Sequence, residues 1–151
     1  MKIIAAALAS VLSVIAMAPA WAATTAVTGT WMGPGGFGVA IAPCPDHGQA
    51  KLCGKITALS KPLDAHGHPV TDEHNPNPAR RSLPLIGSTF LSGFIASGEG
   101  HWVGGSIYDP DSGRTYNSKM TLIGDDQLKV DGCVLIVCKG QVWQRAAGPV
   151  R

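Results

Sequence analysis

Charge and aromatic side chains are both scarce in this chain. Charged residues make up 15% and aromatics 6% of its 151 residues, and the 12 Lys and Arg nearly balance the 10 Asp and Glu. No basic block interrupts that balance, which argues against nucleic acid or an anionic membrane surface as the main partner. Catalytic signatures are missing as well: there is no Gly-x-Ser-x-Gly elbow, no His-Glu-x-x-His pair and no phosphate-binding loop. Neighbouring carboxylates occur at Asp125-Asp126 and at Asp109 with Asp111. A cleft that raised one pKa would let such a pair act as acid and base, but turn formation explains both. The composition therefore points away from an enzyme and calls for no cofactor.

A single long apolar run is present, at the start. Lys2 precedes Ile3 to Met17, Pro19 breaks any helix, and Ala20-Trp21-Ala22 fits the small-x-small pattern of a signal-peptidase site. The run is shorter than the roughly 20 residues that span a bilayer. The expectation is a leader over residues 1–22, cleaved after Ala22, and one mature domain over residues 23–151. No later stretch is apolar enough to cross a membrane, so the product is expected in the periplasm or secreted.

Only four cysteines occur, Cys44, Cys53, Cys133 and Cys138, all beyond the leader. An even count in an exported chain reads as two disulfides. Three connectivities are possible; Cys44–Cys53 and Cys133–Cys138 are favoured, because each pair meets across a short reversal. Structural zinc sites usually carry Cys-x2-Cys knuckles, which these spacings do not provide.

Alternation dominates the mature part. Leu52, Gly54, Ile56 and Ala58 share one face of a run, and Tyr116, Met120 and Leu122 share one face of another, the period of half-buried strands. Eight strands are predicted, near residues 27–32, 37–42, 52–59, 88–96, 101–108, 115–123, 127–132 and 141–145. Gly33-Pro34-Gly35-Gly36, Gly98-Glu99-Gly100, Pro110-Asp111-Ser112-Gly113 and Gly124-Asp125-Asp126 separate several of them as turns. So many short antiparallel strands favour an all-β, up-and-down closed barrel, with a two-sheet sandwich as the alternative. Lys61 to Pro84 breaks the rhythm as a long Pro-rich loop. Within it Asn77 can cap a short helical turn that begins at Pro78.

Gly29-Thr30-Trp31, Leu52-Cys53-Gly54-Lys55-Ile56, Asn75-Pro76-Asn77-Pro78 and Arg81-Ser82-Leu83-Pro84-Leu85-Ile86-Gly87 follow one another along the chain. Trp102 to Pro110, Gly113-Arg114-Thr115-Tyr116 and Trp143-Gln144-Arg145 complete the series. Together they resemble the DUF2147 family, small exported bacterial proteins with a lipocalin-like barrel. The resemblance implies that fold and carries over no established biochemical activity. It also implies that Arg145 packs over Trp31 as a structural plug at the closed end. Two departures stand out: the family's Asn-Pro-Asp-Pro reads Asn75-Pro76-Asn77-Pro78 here, and His66, His68 and His74 fall where the family pattern has no histidine.

Candidate sites are few. His66, His68 and His74, with Asp64 and Asp72, are weak candidates for metal ligands, set against a plain hydrophilic loop. Arg81 and Arg114, with Arg80, can form an anion site, or Arg81 can instead tie down loop carbonyls. Trp102, Tyr108 and Tyr116, on alternating positions of one hairpin, can line a cavity mouth or simply fill a core. The leading functional expectation is a binding module for a small or hydrophobic ligand or an envelope component. The alternative is an envelope protein that works through protein–protein contact with a filled barrel. Inward glycines and small residues such as Gly54, Gly104 and Ser106 would leave room inside, which separates the two.

Overall fold

A computed structural model describes residues 26–47 and 50–147. The expected leader over residues 1–22 and its expected cleavage site lie outside the described residues. Eight strands follow one another: β1 (Gly29–Met32), β2 (Gly38–Pro43), β3 (Leu52–Ala58), β4 (Thr89–Gly98), β5 (His101–Asp109), β6 (Arg114–Ile123), β7 (Gln127–Val134) and β8 (Val137–Arg145). Each pairs antiparallel with its sequence neighbour, and β1 also pairs with β8 through Trp31 opposite Arg145 and Met32 opposite Gln144. That last ladder closes the sheet, so the architecture is a barrel and not a sandwich. Closure leaves no unpaired strand margin to recruit another chain.

Alternation decides which side chains go inside. Trp31, Val39, Leu52, Leu91, Phe94, Trp102, Leu128 and Trp143 are fully buried and form one cluster. Gly54 and Gly105 also point inward there, but they leave no empty space. A β-carbon on Gly54 would come within 2.8 Å of Val39 Cγ1, and one on Gly105 would overlap the Phe94 ring. Their missing side chains are replaced by neighbouring bulk, as close packing demands. The filled cluster occupies the end of the barrel where the β4–β5 and β6–β7 turns lie.

One bulge changes the reading of β5. Trp102 faces Met120 and Gly105 faces Ser118, so three steps on β5 match two on β6. Gly104 takes φ +70° at this bulge, with open space where a side chain would project. Beyond it the faces exchange: Ile107 opposite Tyr116 points inward, while Ser106 and Tyr108, opposite Asn117 and Thr115, point outward. Trp102, Tyr108 and Tyr116 therefore do not share a face, and Gly104 and Ser106 do not open the interior. Simple counting by two fails because of the inserted residue.

Both disulfides pair as the short reversals favoured, Cys44–Cys53 across the β2–β3 connection and Cys133–Cys138 across the β7–β8 hairpin. At the filled end Arg145 lies 4.2 Å above the Trp31 ring centroid. Its guanidinium donates to the carbonyls of Asp125 (2.7 Å), Thr28 (3.2 Å) and Ala26 (2.7 Å), and Trp31 Nε1 donates to Val27 O at 2.8 Å. The fork geometry of arginine lets one side chain both cover the indole and satisfy loop carbonyls. Arg145 thus packs over Trp31 with the geometry expected of a structural plug.

Candidate binding cavity at the open end

The β1–β2, β5–β6 and β7–β8 turns, and the long loop between β3 and β4, lie at the other end. Here the core does not fill the barrel. A cavity of about 710 Å³ is lined by Ile56, Ile107, Tyr116, Val130 and Gly132 from the inner wall, by Phe37 and Phe90, and by Val134, Val137, Lys139 and Gln141 from the β7–β8 hairpin. Its volume falls within the range of roughly 300–1,000 Å³ typical of small-molecule sites.

Three aromatics meet where cavity and core join. Phe37 packs edge-on against Phe90 (5.6 Å) and Trp143 (5.4 Å), and Phe90 lies 6.1 Å from Trp143. Phe37 folds back across Gly33, whose missing side chain makes room for the ring. The cavity therefore begins on an aromatic floor and rises between aliphatic walls. Polar groups are few: Tyr108, Tyr116, Gln141, Lys139, and the Asp109-Pro110-Asp111 turn at the mouth. Asp109 is occupied by its own turn, accepting from Asp111 N at 3.2 Å and Ser112 Oγ at 2.5 Å. Lys139 makes no ion pair with any described residue.

A second hollow of about 650 Å³ lies between the long loop and the outer face of the barrel. Lys55, Arg80, Ser92, Ser106 and Thr115 line it. Tyr108 crosses it, donating its hydroxyl to Asp72 Oδ1 at 2.7 Å, and Asn75 Nδ2 donates to the other carboxylate oxygen at 2.6 Å. Desolvation, then the bond to Asp72 and the charges of Asp72 and Asp109, push the Tyr108 pKa up to about 12. These groups satisfy one another, and the arrangement pins the loop to the barrel.

The remaining sequence candidates separate. Trp102 is fully buried in the filled end, its Nε1 without a hydrogen-bond partner among the described residues, and it does not reach the cavity. Arg81 Nε donates to Asn75 O at 2.8 Å, which makes it a loop tie, while Arg114 is exposed on β6 opposite Asp109. Asn77 caps the turn Pro78–Arg80 by accepting from Ala79 N, as its position predicts. His66 and His68 sit in a turn organised by Asp64, which accepts from both backbone N–H groups, whereas the His74 carbonyl abuts Gly113. Among the described residues no group of three or more His, Cys, Asp or Glu could hold a metal ion, and no helix is long and apolar enough to cross a membrane. Phe37, Phe90 and Lys139 were not singled out from sequence; Phe37 lies just past a Gly-Pro-Gly-Gly turn, where periodicity carries no facing information.

Among solved structures, the chain is similar to protein HP1028 from the human pathogen Helicobacter pylori, described as belonging to the lipocalin family. The match has a TM-score of 0.67 at 21% identity and covers 80% of this chain and 83% of that one. At that identity the likeness shows the fold. No curated protein matches the chain. The family described as "Uncharacterized protein conserved in bacteria (DUF2147)" matches over residues 29–145, from the first residue of β1 to the last of β8, and the chain belongs to that family.

Proposed function

We propose that this protein is an exported, non-enzymatic carrier or sensor that holds one elongated apolar molecule in the open end of its barrel. The observation that supports the reading best is the 710 Å³ cavity between an aromatic floor and aliphatic walls. Its sparse polar groups suit a ligand with an apolar body and one polar end. Lys139, at the mouth and without an ion-pair partner among the described residues, favours an anionic end such as a carboxylate or phosphate. The filled end, locked by Arg145 over Trp31, leaves the open end as the route in. A filled barrel acting only through protein contacts has less support, because the premise of a filled interior fails at this cavity.

Two disulfides are consistent with an oxidising compartment outside the cytoplasm. Export to the periplasm, with cleavage after Ala22, belongs to the same reading. Native mass spectrometry of protein recovered from its own periplasm tests both parts. The expected species begins at Ala23, carries two disulfides and retains a small apolar molecule. Recovery of only ligand-free protein bound to another protein would support the contact-only alternative.

A further inference from the structure

We propose that the tip of the β7–β8 hairpin, Val134-Leu135-Ile136-Val137, inserts into the interface of a lipid bilayer and sets the cavity mouth against the acyl chains. This goes beyond the ligand reading and does not depend on it. Leu135 and Ile136 are 92% and 96% exposed, and Val134 and Val137 are 59% and 64% exposed. Solvent opposes such a display. So does the backbone: Leu135 takes φ 53°, the one positive φ outside glycine among the described residues, at a hairpin position where Gly or Asn is favoured. Two costs at one residue need a compensating contact, and no described residue provides one.

The Cys133–Cys138 disulfide brackets the tip, and no polar side chain lies between the two cysteines. Order is therefore imposed covalently, where turn residues would normally impose it. The nearest acidic group on β7, Asp131, is buried and lies 3.3 Å from Lys129 Nζ. The first charge after the tip is Lys139, without an ion-pair partner among the described residues, whose long stem lets its ammonium reach headgroup phosphates while the tip sits below them.

Area argues for a bilayer over a protein. Four aliphatic side chains on a protruding turn present a few hundred Å², short of the roughly 800 Å² per partner of a stable protein interface. Insertion by about 5–10 Å into the headgroup–acyl boundary needs no more than the tip itself. The tip is also continuous with the cavity, since Val134 and Val137 form part of its wall. An apolar molecule could pass from bilayer to barrel along one unbroken apolar surface. The nearly neutral charge of the chain makes this an apolar attraction, so zwitterionic lipid suffices.

The test is flotation of the full chain, as the cell processes it, with phosphatidylcholine vesicles. Every variant keeps the same N-terminus, so differences report the tip. Wild type is expected to float, and the double variant Leu135→Gly with Ile136→Asn, which puts glycine at the positive-φ position, to bind at least tenfold more weakly. That variant supplies a favoured hairpin turn, so its thermal midpoint should hold or rise, which separates lost binding from lost fold. With brominated acyl chains, a Leu135→Trp reporter should be quenched and a His101→Trp reporter, at the opposite end, should not. Absent flotation of wild type, equal binding by the double variant, or quenching at position 101 would overturn the proposal. So would a wild-type dimer that the double variant converts to monomer, which would assign the tip to a second copy. Retained small-molecule binding in any of these cases would leave the ligand reading standing alone.

Discussion

Tyr108 reaches outward from β5 to donate its hydroxyl to Asp72, 36 residues earlier in the chain, at 2.7 Å. That single bond ties the long loop to the barrel wall, and it exists only because the Gly104 bulge turns Tyr108 away from the interior. With its folded pKa raised to about 12 from the ordinary 10, neutral Tyr108 is favoured by folding. Its contribution is therefore complete below pH 10 and is lost as pH rises from 10 to about 12. Phenolate absorbance should show one tyrosine ionising near pH 12 in the folded protein, and Asp72→Asn should lower that midpoint. Tyr108→Phe should cost about 1–2 kcal/mol in denaturant unfolding. An unchanged phenolate titration in Asp72→Asn would remove the loop tie from the account.

The plug makes a second expectation. Trp31→Ala should destabilise by about 3–5 kcal/mol, the usual cost of emptying a buried tryptophan site. Two of the three buried indoles, Trp31 and Trp102, should also differ. Trp31→Phe discards the bond to Val27 O, whereas Trp102→Phe discards a donor with no described partner. Thermal unfolding should find Trp102→Phe the milder change by about 1 kcal/mol. Equal losses would mean that the Trp31 bond adds nothing.

The bulge can be tested at two adjacent glycines. Gly105→Ala drives a methyl into the Phe94 ring inside the filled end. Gly104→Ala meets open space but forces a β-carbon to φ +70°. Both should destabilise, the first by roughly 1–3 kcal/mol from overpacking and the second by about 1 kcal/mol from backbone strain. Gly104→Asn should recover much of the second loss, because asparagine tolerates that conformation, while Gly105→Asn should recover nothing.

Much of the barrel was legible in the sequence because a half-buried sheet writes its own period. Leu52, Gly54 and Ile56, or Tyr116, Met120 and Leu122, face one way wherever the ladder runs unbroken. Legibility fails where an extra residue enters. Gly104-Gly105 marks the place, yet nothing local says which glycine carries the bulge, so Ser106 was assigned to the wrong face. Tyr108 lines the cavity mouth beside Tyr116 and also reaches the outer hollow. The β7–β8 hairpin was read too short for a different reason. Cys-Val-Leu-Ile-Val-Cys contains no turn residue, because a disulfide supplies the constraint that glycine or asparagine supplies elsewhere. The site was less legible than the fold. Tyr108 and Tyr116 were identified, but Phe37, Phe90 and Lys139 come together only through barrel closure.

The central claim is that the open end binds an apolar molecule, and a fluorescent long-chain carboxylate titrated into the protein tests it most directly. Gly132 lines the cavity, and a β-carbon there meets nothing closer than Ile107 Cγ2 at 3.4 Å, so Gly132→Leu should fill the space without breaking the barrel. The account predicts saturable binding by wild type, at least a tenfold loss in Gly132→Leu with the thermal midpoint retained, and a smaller loss in Lys139→Ala. Binding that is absent in wild type, or undiminished once the cavity is filled, would contradict it.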